Sequence, residues 1–543
     1  MIRPIQSVWA FMHRSGAGLA PGAAALWRGR LAGLGVLIGL LSGCASLPTD
    51  VQRPVSHALA QPGATPLGQL VSQRRPEAVR PDVSGFALIA SSRDAFATRL
   101  ALTQQATRTL DIQYYAIHAD PSAAELLRAV RTAARRGVRV RILLDDFNSA
   151  GHNALVMRMA SVPGVQMRMF NPLPGDRGLG MLRALGSLHD FQRIQHRMHN
   201  KLFIADNAWG VTGGRNLGDA YFGIASGSNF VDLDVLAAGP VVQDMSASFD
   251  RYWNNPLAYP VETLITPEEL ARLGATTQPD ASDLPAPGNT PPPPPPMDLV
   301  ALRLVWAPAV LRADSPFKLV PGHDEQSDPS VVGDMLGLMQ RALNEVLIVS
   351  PYFVPGADMI EQFARMLQRG VRVLVFTNSL ASTDALLAQV GYARHRKQML
   401  HLGVELYEMR ALEPARLTRA VLGSAAGGSS GRGSRASLHA KLVIVDERVI
   451  SVGSMNLDQR SLLQNSEVAL VIHSPELARQ AAERLRAGLA VGAWRVVLTP
   501  EGRLRWLAPP GADFSDSDHE PDTSVWLRLL ADLLSPLAPD EML

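Results

Sequence analysis

Apolar positions repeat along this chain in two matching blocks. Leu126, Leu127, Val130, Ala133 and Ala134 fall at the spacing of an amphipathic helix that opens at Asp120-Pro121, an N-cap with proline at the first helical position. Arg136-Gly137 ends that helix, and 138–144 follows as a strand. Met359, Ile360, Phe363, Met366 and Leu367 show the same intervals, closed by Arg369-Gly370 and a strand over 371–376, at a constant offset of 233 residues. Each helix follows an apolar run of strand character, 110–115 and 346–353. The β-α-β order predicts an α/β fold of mostly parallel strands covered by helices, with two such units back to back. Near the end, 525–534 is again amphipathic; it reads first as a docking helix, with a lipid surface as the alternative.

Breaks in the pattern divide the chain. Residues 45–84 are rich in Pro, Gln and Arg without a period and read as a tether. Six consecutive prolines, 291–296, make a stiff spacer, and 423–434 is a Gly/Ser loop. At the start, Arg28 and Arg30 precede an apolar run, 31–41, too short to span a bilayer, and Leu41-Ser42-Gly43-Cys44 follows. This predicts a cleaved export signal over 1–43. LSGC resembles the bacterial lipobox, whose cysteine is lipidated; Ala45, where an Asp would favour inner-membrane retention, favours the outer membrane. The competing reading is a buried apolar segment with an incidental cysteine. Cys44 is the sole cysteine, so an internal disulfide is excluded. The expected organisation is a signal (1–43), a tether (44–84), a first repeat (85–270), a Pro-rich linker (271–298), a second repeat (299–500) and a tail (501–543).

Composition narrows the class. With 47% hydrophobic and 19% charged residues among 543, the chain is globular rather than disordered. Its formal charge of +2 includes four arginines before residue 44; without them 48 bases face 50 acids. A nearly neutral mature chain gives no electrostatic argument for nucleic acid.

The chemistry sits at corresponding places in the two halves. His199-Asn200-Lys201 leads to Asp206 and, six residues on, Gly213-Gly214-Arg215-Asn216. His439-Ala440-Lys441 leads to Asp446 and, again six on, Gly453-Ser454-Met455-Asn456. The shared formula is HxKxxxxDx6GxxN. His and Lys two apart on a strand share a face, so each copy presents an imidazole beside an ammonium. The glycine turn and its Asn offer backbone and amide donors to an oxyanion, making Gly213, Asn216, Ser454 and Asn456 candidate phosphate binders. Only four of the 52 basic residues are lysines, and two are Lys201 and Lys441, which argues for a compact point charge at both places. A structural His beside a solvated Lys explains one copy; two matching copies do not fit it. One neutral imidazole can attack phosphorus while a second, protonated one serves the leaving oxygen. No cofactor or metal is expected: His196 lies three residues from His199, but no third ligand is evident. Gly427-x-Ser429-x-Gly431 fits a serine-hydrolase formula yet lies in low-complexity loop.

The paired motifs resemble the phospholipase D superfamily over roughly 90–490. The flanks RMHNK, GGRNLGDAYFG, DLDVLAAGPVV, SPYFVPG, TNSLASTD and GSMNLDQRSLLQNSE are similar to those of C-type bacterial cardiolipin synthases. Gly214 replaces the superfamily's usual Ser, and Gln389 stands where a His is expected. The resemblance implies two phospholipase D-like domains packed as a pseudo-twofold pair around one shared active site. It further implies phosphatidyl transfer between phospholipids to form cardiolipin, through a phosphohistidine. His199 would be the nucleophile and His439 the general acid/base, with Lys201, Lys441, Asp206 and Asp446 completing the catalytic set and Asp232 and Glu467 as supporting acids. Expected partners are phosphatidylglycerol or phosphatidylethanolamine, a membrane surface and an accessory protein of unknown identity, but no nucleic acid. Location would be the bacterial envelope, anchored at Cys44 on the periplasmic side. A phospholipase D-type hydrolase, a nuclease and a non-catalytic lipid-binding lipoprotein are the rival readings.

Overall fold

A computed structural model describes residues 47–146, 154–174, 191–266, 268, 292–320, 330–411 and 435–537. The proposed signal and Cys44, the Gly/Ser loop and most of the proline linker lie outside these residues.

Two nine-stranded sheets carry the fold. Both share a seven-strand order. In the first it runs Val165–Phe170, Arg139–Asp145, Thr109–Tyr114, Leu202–Ala205, Trp209–Gly213, Asp234–Ala238, Ser84–Ile89. In the second it runs Glu405–Met409, Arg372–Asn378, Glu345–Val349, Leu442–Val445, Val449–Gly453, Val468–His473, Ala309–Ala313. The helices Pro121–Arg135 and Ala357–Gln368 form where the apolar spacing places them. Asp120 accepts from Ala123 N at 3.1 Å to start the first. Gly137 and Gly370, with φ of +93° and +82°, take the left-handed conformation that turns each chain back toward its strand.

The strands are not mostly parallel. Within each sheet only two of the eight described pairings are parallel: 109–114 with 139–145 with 165–170, and their counterparts in the second half. The motif strands instead fold back as hairpins. Asp206 and Asn207 (φ +52° and +51°) and Asp446 and Glu447 (+51° and +50°) occupy the two central positions of tight turns closed by Ala208 N to Ala205 O and Arg448 N to Val445 O. Positive φ at both central residues is the geometry that matches strand twist in a two-residue hairpin.

The presumed tether is also partly ordered. Thr65 caps a helix over Pro66–Arg74, accepting from Gly68 N, and Leu67 and Val71 are buried against the first sheet. Trp209 Nε1 donates to Leu67 O at 3.0 Å. The Thr65-Pro66 start repeats the Asp120-Pro121 signal, but the helix is short and its apolar stripe narrow. On the far side of the proline run, Val305–Ala307 returns to pair with Ser84–Phe86 of the first sheet before the chain enters the second.

One apolar core runs through both halves, from Phe86, Leu202 and Val235 to Leu347, Leu442 and Leu470. Two further cores back the sheets, one per half. Two short parallel ribbons stitch the halves together: Arg197–Met198 with Asn465–Ser466, and Ser228–Val231 with Arg435–Leu438. Each ribbon ends at a motif histidine.

Candidate active site

The ribbons fix the two imidazoles. His199 N donates to Ser466 O at 2.9 Å, and His439 N donates to Val231 O at 2.8 Å. Each histidine is therefore held by backbone from the opposite half. The carboxylates cross in the same way: Glu467 Oε2 lies 2.9 Å from His199 Nδ1, and Asp232 Oδ2 lies 2.8 Å from His439 Nδ1. With a buried carboxylate on Nδ1, that nitrogen carries the proton and Nε2 presents its lone pair to the site. His199 is 7% exposed and His439 4%, so both imidazoles are largely shielded from solvent.

The backbones of both acids are held as well. Arg215 Nη2 donates to Asp232 O at 2.6 Å, and Glu467 N donates to Asp314 Oδ2 at 3.0 Å. Asp314 in turn pairs with Lys318 at 2.7 Å. Ser454 and Ser461 hydroxyls donate to Glu467, the latter at 2.9 Å. Among the described residues no hydroxyl does the same for Asp232, and the geometry shows why Gly stands at 214: a Cβ there would sit 2.3 Å from Asp232 Oδ1. Gly214→Ser is expected to push Asp232 off His439 and lower kcat about 10- to 100-fold, the scale of losing an orienting partner. An unchanged kcat would mean that Asp232 can shift without releasing the imidazole.

Lys201 Nζ donates to His199 O at 2.8 Å, and Lys441 Nζ to His439 O at 2.7 Å, so each ammonium is tied beneath its own imidazole. Burial pushes Lys201 down to about 7 and Lys441 to about 8, against the pull of Glu467 and Asp232. Burial, reinforced by the two ammoniums, holds both imidazoles well below their usual range. It also lifts Asp232 and Glu467 to about 6. Both imidazoles are neutral at pH 7 on these shifts. An anionic phosphodiester entering among four such bases favours their protonated forms and restores what burial removed.

Asp206 and Asp446 are not in this cluster. At about 3.3 Å per residue, the five steps from Lys201 to Asp206 carry that carboxylate roughly 16 Å along the strand. There it accepts from Arg108 N (2.8 Å), Thr109 N (2.9 Å) and Thr107 N (3.0 Å). Asp446 does the same for Asn344 N (2.7 Å), Leu343 N (2.9 Å) and Glu345 N (2.9 Å). The acid of each motif closes a hairpin and ties it to the neighbouring strand; it touches no reacting atom. Asp206→Asn should cost about 1–3 kcal/mol by spoiling buried charge-assisted bonds. It should leave kcat of the folded protein within about twofold, and thermal unfolding beside kinetics separates the two.

The glycine turns also differ from expectation. Gly214 N and Ser454 N donate to Leu233 O and Val468 O, so these amides belong to the sheet and not to an oxyanion. Gly213 and Gly453 are glycine because a Cβ would lie 2.3 Å from Asp234 Oδ1 and 2.1 Å from Val468 O. Asn216 donates to Tyr221 Oη at 2.9 Å, and Asn456 Oδ1 is buried without a partner. His196 offers its carbonyl to Asn171 and Arg197. No group of three potential metal ligands occurs among the described residues.

Aromatic residues that the motifs did not announce wall the site. Tyr115 meets His199 edge-on at 5.2 Å and lies 5.7 Å from Lys201 Nζ. Tyr221, Phe230 and Tyr352 surround His439 at 5.3, 4.9 and 6.4 Å, with Tyr352 5.8 Å from Lys441 Nζ. Tyr352 donates to Asp384 at 2.8 Å. Tyr352 and Asp384 lie in the SPYFVPG and TNSLASTD segments, which were legible only as likeness to relatives.

Two opposed imidazoles, each oriented by a carboxylate from the other half and each above an ammonium, make a phospholipase D-like centre of two pseudo-equivalent half-sites. The chain belongs to the family described as cardiolipin synthase, PLD-like domain, which it matches twice, over 100–253 and 335–487. It is 38% identical to cardiolipin synthase C of Escherichia coli over 472 residues, covering 85% of this chain and 97% of that one. An uncharacterized protein of Helicobacter pylori is 30% identical, over 92% and 97% of the two chains. Among solved structures, the phosphatidylserine synthase of Haemophilus influenzae aligns with a TM-score of 0.49 at 14% identity, over 78% of this chain and 89% of that one.

Proposed function

We propose that this chain is a phosphatidyltransferase that forms cardiolipin from two phospholipids through a phosphohistidine. The observation that carries it is the crossed arrangement, His199 on Glu467 and His439 on Asp232, in a chain 38% identical over nearly the whole length of a cardiolipin synthase.

His199 Nε2 attacks the phosphorus of the donor phospholipid and the P–O bond to its headgroup breaks. His439, protonated once the anion is bound, gives its Nε2 proton to the departing alkoxide. The second phospholipid then brings a glycerol hydroxyl to His439, which takes the hydroxyl proton as the new P–O bond forms and the P–N bond to His199 breaks. Lys201 and Lys441 neutralise the non-bridging oxygens, with the side-chain amide of Asn456 as a further donor. Phosphatidylglycerol suits both roles, since its headgroup carries a free hydroxyl; phosphatidylethanolamine suits the donor role alone.

Anchoring at Cys44 to the periplasmic face of the envelope, with the outer membrane ahead of the inner, is part of the same proposal. Its support is the apolar run 31–41 ending in LSGC. The division into repeats at 85–270 and 299–500 is likewise proposed, supported by the constant offset of 233.

The test is lipid analysis of a cardiolipin-deficient bacterium expressing the chain. Cardiolipin should accumulate. Phosphatidic acid without cardiolipin would reassign the chain as a hydrolase, and an unchanged lipid profile would defeat the proposal.

A further inference from the structure

The C-terminal helix Val525–Leu534 is apolar on two faces, and the fold uses one of them. Ser524 caps it, accepting from Leu527 N at 3.1 Å. Successive side chains turn by about 100°, so Leu527, Ala531 and Leu534 fall together on one side. These three are partly buried. Ala531 packs against the cluster of Val354 and Val390, as does Leu386. Arg394, on the helix Leu386–Leu402, holds the far end through the Ser535 carbonyl.

The remaining arc carries Val525, Leu529, Leu533, Trp526 and Leu530, spanning about 140° with no polar residue between them. All five are exposed, Trp526 at 81% and Leu533 at 69%. Only Arg528 and Asp532 supply charge, and they lie at the edge of this arc. Leu387 on the supporting helix is exposed too, as are Arg394 and Lys397 further along that helix.

Position links this face to the site. Val354, which the helix packs near, follows Tyr352 and Phe353; Leu386 follows Asp384. Tyr352 and Asp384 are bonded to each other beside His439. The exposed arc is thus mounted on the two segments that wall the second half-site.

From this geometry we infer that the helix Val525–Leu534 is an interfacial docking element that lays its Trp526–Leu533 face into a phospholipid bilayer and sets the mouth of the site against the membrane. The inference rests on the proposed phospholipid substrate. A helix of ten residues is about 15 Å long, half the depth of the hydrocarbon layer, so it lies in the interface rather than across it. A bilayer is the favoured occupant because a phosphodiester buried at the headgroup level must reach imidazoles that are less than a tenth exposed. An apolar face fixed to the walls of that site shortens the path. Lys397, exposed on the supporting helix, complements anionic headgroups, which a purely apolar protein partner would not.

The full-length chain, mixed with phosphatidylglycerol/phosphatidylethanolamine vesicles whose acyl chains are brominated, gives a local readout that an anchor elsewhere does not mask. We expect tryptophan quenching, a share of which disappears in Trp526→Leu. In Leu529→Asp/Leu533→Asp that share should also vanish and turnover on vesicles should fall about tenfold. Turnover of a short-chain phosphatidylglycerol below its micelle concentration should be unchanged, which also shows that the variant is folded. Absence of Trp526-dependent quenching overturns the inference, as does quenching that survives the double aspartate. A concentration-dependent dimer abolished by the double aspartate, with no quenching, would overturn it in favour of a contact between copies. If the unaltered chain turns over no short-chain lipid while Trp526 is still quenched, the catalytic proposal fails and the docking inference stands.

Discussion

His199→Ala is expected to lower headgroup release and cardiolipin formation roughly 10^5- to 10^6-fold, the scale seen when a covalent catalyst loses its attacking atom. The reason is local. His199 Nε2 is the lone pair that the Glu467 contact turns into the site, and Lys201 beneath it is bound to the His199 carbonyl rather than free to replace it. Alanine keeps the backbone bond from residue 199 to Ser466 O, so the ribbon between the halves should survive. It does remove the partner that Glu467 shares with Ser454 and Ser461. Those hydroxyls still satisfy the carboxylate, and its neutral form is favoured by burial. Loss of activity without loss of thermal stability is therefore the expected pair of results, read from lipid turnover and a melting curve on the same preparation. Retention of more than about one per cent of turnover would remove His199 from the chemistry.

How much of this was legible in the sequence depended on whether the information was local. The helices Pro121–Arg135 and Ala357–Gln368 and the strands Arg139–Asp145 and Arg372–Asn378 were legible because an apolar stripe and a closing glycine lie close together in each, with the Asp120 cap as a further signal in the first. The two histidines and lysines stood out because lysine is scarce and the motif is duplicated. Strand direction was hidden, since a β-α-β order describes two strands in each sheet and says nothing of the hairpins that add most of the rest. The motif acids were misread for a related reason. Spacing marks Asp206 and Asp446 as recurrent, and only the structure shows that recurrence comes from a turn with two positive φ values rather than from chemistry. The exchange of Asp232 and Glu467 between halves was also out of reach. It is a contact across 207 and 268 residues of chain, set by the ribbons and not by any local pattern.

His439→Ala is the second large effect, and it carries the direction of the mechanism. The half-sites are close to symmetric, with carboxylate contacts of 2.9 and 2.8 Å and lysine contacts of 2.8 and 2.7 Å. Hydrogen bonding alone therefore does not separate nucleophile from acid. The surroundings do differ. Among the described residues three aromatic rings stand around His439 against one at His199, and Lys441 Nζ comes within 3.2 Å of His439 Nδ1. If His199 attacks, removing His439 slows departure of the headgroup by about 10^2- to 10^4-fold, the usual worth of a positioned acid. A donor whose leaving group needs no proton, such as a p-nitrophenyl phosphodiester, should recover most of that first step. The second step still lacks its base, so a phosphatidyl group should remain on His199 and appear as an acid-labile mass increase on the peptide containing residue 199. The same experiment on His199→Ala should give no adduct. An adduct on the peptide containing residue 439 of His199→Ala, and none in His439→Ala, would reverse the two roles while leaving the paired site intact.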